Sequence, residues 1–173
     1  LKSVSGLLIP GGFGKRGTEG KISAIKFARE NNIPFLGICF GMQMAIIEFA
    51  RNRLKIKKAG STELESKCYP VIGLINEWDK NGKIIKGTNK DLGGTMRLGL
   101  YEAKLKNNSA INRIYKSSSI KERHRHRYEV NIQLKDQFEN KGLLFSGMSP
   151  YNKLPEIIEL KNHPWFIGVQ FHL

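Results

Sequence analysis

Two short apolar runs, Val4 to Ile9 and Ile33 to Ile38, each break off into a glycine-containing turn, and an amphipathic segment separates them. A continuous apolar run of this length with no alternation is the pattern of a strand buried on both faces, as parallel strands are. Between the runs, Thr18 to Asn31 carries Ile22, Ile25, Phe27 and Ala28 at helical spacing, with Thr18 as a candidate cap and an asparagine pair at its end. Gly41 to Arg51 reads as a second helix. Strand, helix, strand, helix at this spacing predicts βαβ units, and so an α/β fold built on a doubly wound, mostly parallel sheet. Farther on, "YPVIGLI" and "GKIIKG" read as strands around a turn at "DKNG", and "YEAKL" as another. "GLLFSG", "PEIIEL" and "WFIGVQF" follow with no helix between them, which predicts an antiparallel extension of the sheet.

Residues 1–173 make one domain, since 173 residues with 40% hydrophobic and 25% charged suffice for one ordinary core and no internal linker divides them. The longest apolar stretches are far too short to span a bilayer and no signal-peptide pattern opens the chain, so a soluble, cytoplasmic protein without a membrane partner is expected. Two cysteines make no disulfide framework, and no second cysteine or histidine stands at ligand spacing from Cys39, so no metal site is expected. The net charge of +14 invites a nucleic-acid reading. Its lysines are dispersed, however, and no aromatic residues interleave with them, so a lysine-rich surface accounts for the charge and no nucleic-acid partner is expected. The chain opens on Leu1 and stops at Leu173 just after a strand-like run, which reads as a piece of a longer polypeptide.

Cys39 lies within "GICFG", between the second strand and the second helix. The layout matches the nucleophile elbow G-x-S-x-G with sulfur in place of oxygen. Glycines two residues to either side allow strand and helix to approach closely, and the helix amino terminus favours a thiolate and offers backbone N–H groups to a developing oxyanion. The Phe40 N–H is the natural first donor, and the turn at Gly11 to Gly14 would bring a second to the same sheet edge. A small buried cysteine beside two packing glycines accounts for the motif equally well. A partner base separates the two readings, and His172, after "GVQF", could reach that edge and take the thiol proton. His124 and His126, in "RHRHRYE", read as a solvated or anion-binding loop, His163 as a turn residue, and Cys68 as structural.

Taken in order, "PGGFGKRGTEGKI", "NIPFLGICFGMQMAIIEFARN", "STE", "DLGGTMRLG", "RHRHRYEVN" and "NHPWFIGVQFH" resemble the glutamine amidotransferase domain of the CTP synthase family. The Cys39 motif by itself indicates the wider class I amidotransferases. "PGGFGKRG", "GGTMRLG" and "RHRHRYEVN" narrow the likeness, which runs from Gly6 to His172. The resemblance implies a flavodoxin-like core, Cys39 as the nucleophile that attacks the side-chain amide of L-glutamine, and His172 as base and then acid. It implies Gly12 and the Phe40 N–H at the oxyanion, and Gln43, Glu63 and Arg127 around the α-amino and α-carboxylate groups. Read without the family, Gln43 is a solvent-facing helix residue, Glu63 a cap on the turn at Ser61, and Arg127 one charge in a basic run. Arg97 in "GGTMRLG" reads as a structural or nucleotide-related charge.

In the family, the catalytic histidine is followed by proline and an orienting glutamate; here Leu173 follows His172, so the third triad member lies outside this sequence. The family's domain also begins with another strand and helix, and its synthetase domain is likewise outside this sequence. The resemblance further implies that the parent enzyme makes CTP from UTP, needs ATP and Mg²⁺, responds to GTP and assembles as a homotetramer. The alternatives are an amidotransferase serving another synthetase, and a catalytically silent interaction module of the same fold.

Overall fold

A computed structural model describes residues 3–74, 77–80, 83–86, 96–150 and 154–173, the segments 77–80 and 83–86 as backbone only. The turn predicted at "DKNG" and the glycines of "GGTMRLG" fall at least in part outside the described residues.

The predicted strand–helix–strand–helix opening is present as β1 (Leu7–Ile9), α1 (Thr18–Glu30), β2 (Phe35–Ile38) and α2 (Phe40–Asn52). Helix α1 buries Ile22, Ile25 and Ala28, one apolar residue per turn. Its cap differs from the expectation: Gly17 occupies the N-cap in a left-handed conformation, and Thr18 is the first helical residue, its hydroxyl donating to the Lys15 carbonyl. At the other end Asn31 is the C-cap, and Asn32 follows at φ 55°. Helix α2 is buried continuously from Phe40 to Ala50. It packs on α1, on the main sheet, and on a second sheet formed by β3 (Ala59–Ser61), β4 (Tyr69–Leu74) and β9 (Tyr128–Val130). A helix enclosed on all sides must be apolar all round, as this one nearly is. The polar exceptions within the buried stretch are Gln43 and Glu48, and Glu48 receives a bidentate pair from Arg29 of α1 at 2.8 and 2.9 Å.

Strands β5 (Glu77–Lys80) and β6 (Lys83–Lys86) form an antiparallel pair. The remaining elements are β7 (Arg97–Leu105), α3 (Ala110–Tyr115), β8 (Ser119–His126), α4 (Lys135–Asn140), β10 (Leu143–Met148), β11 (Pro155–Leu160) and β12 (Phe166–Val169). The main sheet runs β1-β2-β12-β11-β10-β7-β8. β1 and β12 flank β2 and pair with it in parallel, and the pairings from β12 outward to β8 are antiparallel. A parallel core with an antiparallel extension is thus the architecture, with the extension as its larger part. Successive residues alternate between two cores: Phe35, Ile158 and Phe166 face α1 and α2, while Leu36, Ile157 and Ile167 face the side covered by α3. Helices on both faces make the sheet doubly wound.

The tightest contact joins α2 to β1. A Cβ on Gly41 would lie 2.1 Å from the Ile9 carbonyl oxygen, and one on Gly37 would lie 2.8 Å from the Gly41 backbone. Both neighbours are backbone, which cannot swing aside. Gly41→Ala is therefore expected to lower unfolding free energy by about 3 kcal/mol or more, above the usual overpacking range, as read by urea unfolding against a Gly20→Ala control at an exposed position of α1, where an added Cβ meets nothing within 4 Å.

Candidate active site

Cys39 occupies the junction between β2 and α2 with φ 50° and ψ −102°. A non-glycine residue held there costs on the order of 1–3 kcal/mol and persists only where its surroundings over-determine it. They do: the Cys39 N–H donates to the Val169 carbonyl at 2.7 Å, and its own carbonyl accepts from the Gln43 N–H at 3.1 Å. The turn aims the thiol at the carboxyl edge of the parallel strands, where α/β folds place their ligands.

His172 reaches the same edge. Its N–H donates to the Arg123 carbonyl at 2.8 Å, which fastens the segment after β12 onto β8. A Cβ on Gly11 would lie 2.8 Å from Cε1 and 3.4 Å from Nδ1 of His172, and 3.8 Å from the Cys39 Cβ. The imidazole and the cysteine thus meet over the bare backbone of Gly11. The first glycine of "PGGFG" is required by this approach, and nothing in the motif itself distinguishes it from its neighbours. Gln170, buried two residues before His172, donates from Nε2 to Cys39 Sγ at 3.7 Å and accepts from Gln43 Nε2 at 3.4 Å. It was not among the residues anticipated, because within "GVQF" a lone glutamine carries no periodic signal.

Burial is the main influence on the thiol and pushes its pKa from 9.0 to about 11, with Glu129 and Glu63 adding to the rise; a backbone hydrogen bond from Phe40 and the Gln170 amide oppose it. The helix amino terminus therefore does favour the thiolate, as anticipated, but desolvation outweighs it. The resting group is a thiol, and a base must remove its proton.

Beside Cys39 opens a cavity of about 280 Å³, at the small end of ligand pockets, which run to roughly 300–1,000 Å³. Gly12, Gln43, Glu63 and Arg127 line it. Gln43 is 3% exposed, so it does not face solvent; its Nε2 donates to the Tyr128 carbonyl at 3.0 Å. Both acceptors of that Nε2 are protein atoms, which leaves the side-chain oxygen Oε1 for a ligand. Glu63 does not cap the turn at Ser61. The Ser61 hydroxyl does so by accepting from the Glu63 N–H, while the Glu63 carboxylate accepts from the Gly14 N–H at 3.0 Å and ties the "PGGFG" loop to the cavity. Nη1 of Arg127 is buried without a hydrogen-bond partner among the described residues. Phe40 is buried in the first turn of α2, behind Gly12.

His124 and His126 correct the sequence reading. They lie in β8, not in a solvated loop, and are 2% and 7% exposed, alternating with the exposed Arg123 and Arg125, the latter also lining the cavity. They can be buried because Arg97 is buried with them: its guanidinium bonds Glu129 at 2.9 Å and Glu156 at 2.7 Å and stacks on Tyr101. Arg97 is thus a structural charge. Cys68 packs against Gly60 away from this edge. Among the described residues no group of His, Cys, Asp and Glu is arranged to hold a metal ion, and no helix is long and apolar enough to cross a membrane.

The arrangement offers a thiol, an adjacent imidazole, backbone donors at the head of a helix, and a small cavity that holds both a cation and a carboxylate. Alkylation of Cys39 by iodoacetamide is expected to rise with pH up to about 11 rather than to level off near 9. A pH–rate profile read by mass spectrometry checks this, and the same raised value means that folding stability falls as pH climbs past 9, where the unfolded chain sheds the proton first.

The family model Glutamine amidotransferase class-I matches residues 1–173. A CTP synthase of Pelagibacter ubique is 76% identical over 172 residues, and one of Rhodospirillum rubrum is 58% identical over 173; each alignment takes in 99% of this chain and 32% of the relative. The chain thus spans about a third of the length of the curated relatives it matches. The structure titled Trypanosoma brucei CTPS, glutaminase domain with bound acivicin, superposes with a TM-score of 0.85 at 34% identity, over 98% of this chain and 63% of that one. A glutamine amidotransferase of Thermotoga maritima, 16% identical with a TM-score of 0.57 over 99% of this chain and 57% of that one, shares the fold.

Proposed function

From its membership of the class I glutamine amidotransferase family, we propose that this chain is the glutaminase part of a longer CTP synthase, which hydrolyses L-glutamine to supply ammonia for the amination of UTP. The observation that carries the reading is the approach of His172 to the same Gly11 as Cys39, which lines a small cavity whose Arg127 has a buried nitrogen without a hydrogen-bond partner among the described residues.

Glutamine enters with its α-carboxylate toward Arg127, where a guanidinium fork suits a carboxylate. Its α-ammonium lies against Glu63 and the free Oε1 of Gln43, and its side-chain amide over Cys39. His172 takes the thiol proton as Sγ attacks the amide carbon, which overcomes the raised pKa at the moment of need. The N–H groups of Phe40 and Gly12 receive the oxyanion. His172 then passes the proton to the departing nitrogen, ammonia leaves, and a glutamyl thioester remains. Water, deprotonated by His172, attacks the thioester; Sγ departs, is reprotonated, and glutamate is released.

The rest of the polypeptide is assigned the nucleotide chemistry. The synthetase domain, ATP, Mg²⁺, the GTP response, the homotetramer and the glutamate that orients His172 are placed there, and the whole in the cytoplasm. No step in this chain runs through a nucleotide or a metal. The 76% identity to a CTP synthase favours this reading over service to another synthetase, and the placing of thiol and imidazole beside the same Gly11 favours it over a silent module.

The glutamine mimic diazo-oxo-norleucine is expected to label Cys39 alone, with protection by glutamine and no label in Cys39→Ala; a folded protein that takes no label at Cys39 overturns the reading. Arg127→Met is expected to raise the KM for glutamine by at least about tenfold, the worth of a charged hydrogen bond, with kcat changed far less. Steady-state glutaminase assays on the full-length polypeptide check the split.

A further inference from the structure

The hydrogen-bond partners along β8 assign protons by elimination. Nδ1 of His126 faces two oxygens, the Tyr128 carbonyl at 3.2 Å and Glu129 Oε1 at 3.4 Å, so Nδ1 must carry a proton. Nε2 of His126 faces His124 Nδ1 at 2.9 Å, and one of those two nitrogens must be a donor. On the far side, His124 Nε2 faces Glu156 Oε2 at 3.6 Å, and neither atom has a hydrogen-bond partner among the described residues. With Glu156 ionised and both imidazoles neutral, some link in this series sets one lone pair against another. One additional proton removes the conflict.

We infer that this proton resides on Glu156, making it a neutral carboxylic acid, and that Glu156 is a positioning residue for the glutamine cavity. Its O–H faces His124 Nε2 across 3.6 Å, just beyond hydrogen-bond length, His124 Nδ1–H donates to His126 Nε2, and His126 Nδ1–H donates to the Tyr128 carbonyl. That carbonyl is the one that also holds Gln43 Nε2 at 3.0 Å. The relay therefore ends on the group that orients the substrate-facing oxygen of Gln43, and His126 and Tyr128 are themselves part of the cavity wall. Its last link, the effect on glutamine, rests on the proposed glutaminase function.

Charge balance places the proton on the carboxyl instead of on an imidazole. The groups that face the series are Arg97 from β7, Glu129 from β9, Glu156 from β11 and His172 after β12, with the Tyr101 and Phe171 rings edge-on to His124. Arg97 already supplies one buried positive charge and Glu129 one negative. A neutral Glu156 leaves them matched, whereas an imidazolium would set a second cation beside Arg97. Burial, with Arg97, holds both imidazoles far below their usual range, and burial pushes both carboxyls up; geometry decides between the carboxyls, since Glu129 Oε1 accepts from Arg97 Nη1 and faces the His126 Nδ1–H, whereas Glu156 Oε2 faces a lone pair on His124.

Infrared spectroscopy of the full-length polypeptide at neutral pH is expected to show a protonated-carboxyl stretch that disappears in Glu156→Gln. A folded Glu156→Gln protein whose spectrum loses only ionised-carboxylate bands overturns the assignment. Kinetics test the positioning role. Glu156→Gln keeps an acceptor for Arg97 and an N–H for His124, so the KM for glutamine is expected to stay within about threefold, whereas Glu156→Met strands a buried acceptor and raises it about tenfold. Equal KM values in wild type, Glu156→Gln and folded Glu156→Met overturn the role; should Glu156→Met not fold, His124→Gln, which breaks the next link, replaces it with the same expectation. The infrared readout needs no turnover. Wild-type protein that shows the band yet hydrolyses no glutamine overturns the glutaminase reading alone, and active protein without the band overturns the Glu156 assignment alone.

Discussion

The close approach of the Gly41 backbone to the Ile9 carbonyl governs the rest of the site. It seats the first turn of α2 directly on β1, and that seating forces the chain through positive φ at Cys39. From there the geometry propagates. The "PGGFG" loop leaves β1 at the same level, so Gly11 and Gly12 lie beside the thiol, and β12, paired in parallel with β2, delivers Gln170 and His172 to the matching height. Two backbone contacts without side chains thereby align residues from three separate strands.

The opposite wall of the cavity depends on buried charge. β8 belongs to the main sheet and β9 to the smaller one, and the chain passes between them at Arg127. A strand that changes sheets exposes polar backbone and brings charged side chains inward. Arg97, Glu129, Glu156 and the two histidines fill that corner as one connected group. Replacing any one member by an apolar residue leaves its neighbours uncompensated, which is costlier than never having buried them. The corner is therefore stiff, and the face it turns to the cavity inherits that stiffness.

What the sequence made legible follows from how far each signal extends along the chain. The opening strands and helices and the antiparallel tail were readable because apolar periodicity is a local property, and the Cys39 elbow because its glycines sit within two residues of the thiol. β8 is not legible in "RHRHR" although the run alternates with period two, because both phases are polar and neither marks an inner face. What makes His124 and His126 the inner phase is Arg97, distant in sequence and paired in space. β3 and β9 are three residues each and too short to show a period. Glu48 gave no warning of its burial, since the compensating Arg29 lies on another helix. Gln43, Glu63 and Arg127 were placed by resemblance, and no local pattern distinguishes them from surface residues.

β12 sits between β2 and β11, although it follows the other strands of the described residues in sequence. Until it inserts, β1 and β2 have no hydrogen-bonded connection to β11, β10, β7 and β8, and the main sheet exists as two unjoined parts. During synthesis the elbow and its cysteine emerge from the ribosome long before the strand that carries Gln170 and His172. An immature chain thus holds Cys39 without the Val169 carbonyl, Gln170 and His172 that surround it in the finished sheet. The order of synthesis therefore completes the edge around Cys39 only when the sheet is sealed.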